Sequence, residues 1–256
     1  MKIFVMAGTE DGRKLAEFLS GKGYEVTASV VSDYGRKILE QYDFGVNDKK
    51  LDAAELEKFL REGNFKILVD GSHPYALRAS TNAIEACSRV NIPYVRFERV
   101  ESVTGYSGAY HVDSYEKAAE LAATLGKNIF LTTGSRNLKI FVDKLKNCNI
   151  TARILPTAEV IAECENLGLT PKQIIAVQGP FSVDLNVELF KHANAEVIIT
   201  KNSGTIGGAD TKIAAAQILN LPVVIIDRPK ILYSNVAATF DEVLNFIICN
   251  KPTTLA

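Results

Sequence analysis

Short hydrophobic runs in this chain repeatedly end in a cluster of Gly, Ser, Thr, Asn or Asp, and a helix-patterned segment usually follows. That alternation builds parallel sheets, whose ligands sit beyond the carboxyl ends of the strands. The clearest pair is Lys127 to Leu131 running into Thr132-Thr133-Gly134-Ser135-Arg136-Asn137, and Ala195 to Ile199 running into Thr200-Lys201-Asn202-Ser203-Gly204. With 256 residues, 47% hydrophobic and 23% charged, the chain can bury the core of one large α/β unit or of two small ones. A net charge of -1 and a pI near 6.3 provide no global basic field for a nucleic acid or an anionic membrane, so local groups must bind any anion.

The four cysteines are widely separated and form no C-x-x-C pair, which suggests neither a zinc ribbon nor a redox motif. They read as buried thiols of a reducing cytoplasm, and no metal site is expected. Met1 to Ala7 is too short an apolar stretch for a signal peptide, and no run approaches the roughly 18 apolar residues of a membrane span. The expectation is a cytoplasmic, soluble protein without nucleic-acid or membrane partners.

Ile3 to Met6 reads as a buried strand, and Leu15, Phe18 and Leu19 follow at helical spacing. Gly21 and Gly23 stop that helix before a second strand, Glu25 to Val31. A helix over Asp52 to Arg61, a strand over Phe65 to Val69 and a small-residue helix with Ala76, Ala79, Ala83 and Cys87 complete one doubly wound half. Gly105, Ser107 and Gly108 interrupt the rhythm between Val100 and His111, which places a linker or crossover there and domains at 1–101 and 102–256. Strands are expected over Asn128 to Leu131, Thr151 to Leu155, Gln173 to Val177, Glu196 to Ile199 and Pro222 to Ile226.

Ala7-Gly8-Thr9-Glu10-Asp11-Gly12 occupies the strand-to-helix turn where dinucleotide-binding folds hold a pyrophosphate, but it is not a G-x-G-x-x-G and serves equally as a tight turn. In Asp70 to Tyr75, His73 is a proton donor or acceptor or an incidental imidazole, Ser72 a helix cap, and Pro74 a first-turn residue. Thr132 to Asn137 concentrates hydroxyls, an amide and Arg136 at a helix start, which suits an anion; a capped helix with a solvated arginine is the alternative. Lys201 is a charge for an anionic ligand or, once desolvated, an acid of lowered pKa. Asp210 is a candidate cap for the helix carrying Lys212. Gln178 to Ser182 offers an amide and an aromatic face, and Asp227 with Arg228 is either functional or a brace for its loop. His111 and His192 read as structural or surface residues.

Read in order, these loops resemble the precorrin-6A reductases of corrin biosynthesis, including the cobalt-precorrin-6A reductases. The matching segments are Gly8-Thr9-x-Asp11, Ser72 to Ala76, Pro93 to Arg99, Thr132 to Leu138, Gln178 to Ser182, Thr200 to Gly204 and Asp227-Arg228-Pro229. Ala7 stands where that family usually has glycine, Gly71-Ser72 where it has Ala-Thr, and Val100 where it has proline. The resemblance implies an α/β fold of two Rossmann-like domains, their parallel sheets facing a central cleft. It also implies an oxidoreductase that transfers hydride from NADPH or NADH to the macrocycle of precorrin-6A or cobalt-precorrin-6A. It assigns the nucleotide to Thr132, Thr133, Gly134, Ser135, Arg136 and Asn137, with Gly8, Thr9, Asn202, Ser203 and Gly204 as further contacts. Lys201 or His73 would supply the proton, and Ser72, Tyr75, Arg96, Arg99, Gln178, Ser182 and Arg228 would hold the tetrapyrrole, with a monomer allowed. Two competing readings are a two-domain tetrapyrrole lyase or synthase of the uroporphyrinogen III synthase kind, which needs no nucleotide, and a non-catalytic nucleotide-binding protein.

Overall fold

The structure is a computed structural model and describes residues 1–31, 33–98, 105–202 and 208–251. Its first strand shows how both faces of a sheet become buried. In β1 (Lys2–Met6) alternate side chains point to opposite sides. Ile3 and Val5 join a core with Leu15, Leu19, Val243 and Ile247, whereas Phe4 joins another with Leu56, Leu60, Ala83 and Cys87. Helices therefore cover both faces, α1 (Glu10–Gly21) and α10 (Phe240–Cys249) on one and α3 (Ala53–Glu62) and α4 (Leu77–Val90) on the other.

The chain divides into two units, 1–100 with 229–256 and 101–228. The first carries a six-stranded sheet in which β1 is flanked by β2 (Glu25–Ser29) and β4 (Ile67–Asp70). Beyond β2 lies β3 (Gly45–Asn47), and beyond β4 lie β5 (Tyr94–Phe97) and then β12 (Val236–Ala237). All these pairings are parallel.

The second unit repeats the plan around β7 (Asn128–Leu131), which lies between β8 (Asn149–Ile154) and β10 (Val197–Lys201). Outside β8 is β9 (Ile174–Ala176), and outside β10 are β11 (Val223–Ile226) and β6 (Ala109–Val112), again all parallel. Phe130, Ile198, Val223 and Ile225 pack on Val187 and Phe190 of α8 (Val183–His192) and Ile213 of α9 (Ala209–Ile218). The remaining helices are α2 (Asp33–Leu39), α5 (Tyr115–Leu125), α6 (Leu138–Lys144) and α7 (Ala158–Asn166). Ala118, Ala119 and Ala122 of α5 are all 0% exposed, small enough to let that helix lie close on its neighbours.

In the first sheet, and from β7 onward in the second, the chain adds strands to one side of a central strand and then returns to the other. Those reversals fall between β1 and β4 and between β7 and β10, and an open α/β sheet offers its ligand crevice at such a point. The chain thus forms two doubly wound α/β units with parallel sheets, as expected.

The boundary at 102 needs correction at the carboxyl end, because residues 229–251 return to the first unit. There β12 pairs with β5 through Val236–Arg96 and Ala237–Phe97, and Val243 and Ile247 of α10 are 0% exposed. The segment expected as linker also ends in a strand, since β6 extends the second sheet along β11. No helix among the described residues is long and apolar enough to cross a membrane.

Candidate functional site

At the first unit's reversal the two loops are locked to each other. Thr9 caps α1 by accepting from the Gly12 amide at 2.9 Å, and its hydroxyl donates to the Gly71 carbonyl at 2.8 Å. A Cβ on Gly12 would stand 2.7 Å from that carbonyl oxygen, so glycine is what lets the helix start touch the β4 loop. Gly8 remains exposed, with nothing within 4 Å of a Cβ built on it.

Behind this contact lies a compensated charge network. Asp70 Oδ1 accepts from Arg96 Nη1 and from the Ser72 amide, both at 3.0 Å, and Oδ2 accepts from the Tyr94 hydroxyl at 2.7 Å. Burial works to raise the Asp70 carboxyl, but the Arg96 guanidinium and hydrogen bonds from Ser72 and Ser80 prevail and hold it below the usual range. Burial likewise opposes the Arg96 charge, and Asp70 with Tyr233 and Glu98 outweighs it. Burial and then Asp70 push the Tyr94 phenol upward and the Cys87 thiol up to about 12, leaving both neutral.

Several expected roles change here. Arg96 is 1% exposed and spends its donors on Asp70, Glu98 and the Ser72 hydroxyl, so it is turned into the unit instead of toward substrate carboxylates. Ser72 is that network's acceptor and not a cap; α4 starts at Leu77 behind Ala76, which puts Pro74 ahead of the helix. His73 and Tyr75 are half-buried neighbours with ring centroids 5.6 Å apart. His73 Nδ1 accepts from the Tyr75 amide at 3.2 Å, which leaves Nε2 as the ring's donor.

The second reversal gathers positive charge instead. Lys201, at the end of β10, lies 5.7 Å from the ring centroid of Tyr115, which opens α5. Burial and then the nearby Arg136 lower its amine to about 8. Tyr115 in turn feels the Asn137 side chain and the Arg136 charge, both opposing the rise that burial imposes on its phenol. Thus Arg136, Asn137, Lys201 and Tyr115 meet; Thr133, three residues before Arg136 in the same loop, is 5% exposed with a buried hydroxyl oxygen that has no hydrogen-bond partner. Gly134 has φ 76, a left-handed turn that favours glycine and carries the chain into α6. Thr132 donates its hydroxyl to Ile199 across the gap at 3.0 Å.

Arg136 therefore lies near Lys201, and Thr132 ties the start of its loop to β10. Asn202 is 4% exposed and its carbonyl accepts from Arg228 Nε at 2.9 Å, which ties the β10 and β11 loops together. Asp227 meets His111 Nδ1 at 2.7 Å, so it braces its loop through a histidine read as structural or surface. Ser182 is an N-cap, accepting from the Leu185 amide at 3.1 Å, and Gln178 nearby is exposed. Gly208, not Asp210, caps α9. Arg99, Ser203 and Gly204 lie outside the described residues.

Sequence reading gave no functional role to Arg153, 6% exposed on β8, or to Lys212, 8% exposed on α9. Burial, followed by the charges of Arg153 and Lys201, lowers the Lys212 amine to about 7. Burial alone lowers Arg153 to about 10. The signal available in the sequence was a charged residue at an inward position of an otherwise apolar strand and helix.

Comparison with known proteins gives a consistent match across the chain. The model of the family described as precorrin-6x reductase CbiJ/CobK matches residues 2–248. A cobalt-precorrin-6A reductase of Priestia megaterium is 40% identical over 249 residues, covering 96% of this chain and 98% of that protein. Its counterpart from Methanocaldococcus jannaschii is 38% identical with the same coverage, 96% and 98%. A solved CobK precorrin-6A reductase superposes with a TM-score of 0.80 at 26% identity, covering 99% of this chain and 98% of that one.

Proposed function

We propose a role for each set of loops from one premise: the chain belongs to the precorrin-6x reductase family. It is accordingly an oxidoreductase of cobalamin biosynthesis, a reductase of precorrin-6A type. The finer reading is that NADPH or NADH is the reductant and that its phosphates lie at the second unit's reversal. Bound there, a reduced nicotinamide supplies the hydride. The observation that carries this reading is the meeting of Lys201 and Arg136 beside the loop that holds the buried, partnerless Thr133 hydroxyl, set against a first unit whose buried Asp70 and Arg96 charges match each other.

In that arrangement Thr133, Ser135 and Asn137 orient the phosphates through neutral donors, and Arg136 supplies an exposed fork for an oxyanion. Lys201, with an amine near 8, keeps a proton at neutral pH yet releases it readily, which fits a donor to the carbon beside the one reduced. His73 Nε2 is a donor suited to an acidic arm of a tetrapyrrole, and the neighbouring Tyr75 ring is a face suited to its macrocycle. The similarity to cobalt-precorrin-6A reductases favours a substrate that already carries cobalt. A lyase or synthase reading, which needs no nucleotide, falls outside the family to which the chain belongs.

Titration with NADPH and NADH, followed by nicotinamide fluorescence, tests the reading. Saturable binding of either is expected, and Arg136→Ala should weaken it at least tenfold with little change in folding stability, because an exposed arginine contributes little to the core. An unchanged dissociation constant would mean that the phosphates lie elsewhere.

A further inference from the structure

Arg153, near the end of β8, is held by two kinds of contact. Its Nη1 donates to Asn186 Oδ1 at 2.7 Å, and its guanidinium lies 4.0 Å from the ring centroid of Phe181 and 5.9 Å from that of Phe130. Among the described residues no carboxylate pairs with it. The charge is therefore buried without a counter-ion, and an apolar side chain of similar length would fill the same space at less cost. What the guanidinium adds is direction. It is flat enough to lie on an aromatic face while its N–H fork points at an amide oxygen.

Both contacts lead to the turn between β9 and α8. Phe181 belongs to that turn, and Ser182 ends it as the cap of α8. Asn186, 0% exposed near the start of α8, donates to the Ser182 carbonyl at 2.8 Å and to Thr211 Oγ1 at 3.3 Å. Thr211 in turn donates to the Gly208 carbonyl at 3.2 Å, and Gly208 opens α9 without a side-chain cap. One chain of hydrogen bonds thus runs from β8 through the start of α8 to the start of α9. Those two helices follow loops at the carboxyl ends of β9 and β10, the edge at which an open parallel sheet meets its ligands.

We propose that Arg153 is a positioning residue of the reductase, holding Phe181 and Ser182 in the shape that the Gln178–Ser182 loop presents to a reactant. This rests on the reading that loops at the carboxyl ends of the second sheet meet the reactants. The loop carries an exposed Gln178 amide and a half-buried Phe181 ring. Its Ser182 hydroxyl accepts from the Leu185 amide and still has a proton to donate. An amide, a ring face and a hydroxyl together suit a flat heterocycle with polar arms, a description that fits both a nicotinamide nucleotide and a tetrapyrrole.

The chain contains no tryptophan, so Phe181→Trp supplies a single reporter of the loop. In that background Arg153→Met should at least double the rate of acrylamide quenching while Tm holds or rises. In the otherwise unaltered enzyme, Arg153→Met should raise the KM of one reactant at least tenfold and change kcat less than about threefold. A raised KM for NADPH or NADH places the loop against the nucleotide, and a raised KM for the tetrapyrrole places it against the macrocycle. Arg153→Lys should not restore that KM, because an ammonium cannot lie on the ring and reach Asn186 at once. Asn186→Leu should add little to Arg153→Met, since the two side chains act as a unit. A lowered Tm with both KM values unchanged would make Arg153 a stabilising residue only and overturn the proposal. Full recovery by Arg153→Lys, or a reporter that does not respond, would overturn it as well. A wild type that turns over with neither nucleotide defeats the reductant reading separately. The binding of an octacarboxylate porphyrin then decides the role of the loop: a dissociation constant raised tenfold in Arg153→Met supports the proposal, and an unchanged one ends it.

Discussion

Two lysines carry an opposing pair of pH effects. In the unfolded chain both amines titrate near the ordinary lysine value, whereas in the fold Lys201 sits at about 8 and Lys212 at about 7, with burial the main cause in each. Between those values the unfolded chain holds more protons, so these groups add stability as pH rises from about 7 toward 10. Anion binding must run the other way, since it needs the cations that the rise in pH removes. Raising pH from about 6.5 to about 9 is therefore expected to weaken NADPH binding at least tenfold while the ligand-free Tm difference between wild type and Lys212→Met shrinks. Parallel titration and thermal unfolding across that range check both signs. The two cations also mark the limit of residue-level reading. Arg96 and Arg153 look alike in the sequence, each a cation inside an apolar strand. Only the fold brings Asp70 and Glu98 to the first and an amide with aromatic rings to the second.

Helix starts divide into two kinds. Thr9, Asp52, Ser114, Thr157, Ser182 and Thr239 close α1, α3, α5, α7, α8 and α10 with side-chain acceptors, each a local arrangement that the sequence announces. Of the helices that follow candidate loops, α4, α6 and α9 have no side-chain cap bond, whereas α1 and α8 do. Strands with continuous apolar runs, such as β4 and β11, were likewise legible, being buried along their whole length. β6 and β12 were not, because their half-exposed residues carry no apolar run and their pairing is set by distant partners. The contact of α1 with the β4 loop belongs to this scale too. Gly12→Ala would place its Cβ 2.7 Å from the Gly71 oxygen and 3.0 Å from the Ala7 Cα, both backbone atoms. The helix start must shift, at a cost of about 1–3 kcal/mol. Chemical denaturation should register that loss, with nucleotide affinity unchanged if the phosphates belong to the second unit.

Across the whole molecule the second unit is an insertion in the first. The family resemblance and the strand-helix rhythm revealed two parallel sheets, but not that residues 229–251 complete the earlier one. That return is anchored by Val243 and Ile247, and burying an aliphatic side chain of this size contributes about 1.5–3 kcal/mol. Deleting residues 229–256 should therefore strip hydrogen-exchange protection from β4 and β5 while β7 and β10 keep theirs. Uniform loss in both sheets would mean that the units do not fold separately. On a ribosome the same connectivity reverses the usual order. Residues 1–100 emerge early but lack an edge strand and a covering helix until residues 229–251 have been made, whereas the inserted portion has all its strands beforehand. What is synthesised second is thus able to finish first, and the nascent amino-terminal half must wait with the faces meant for β12 and α10 still open to chaperones.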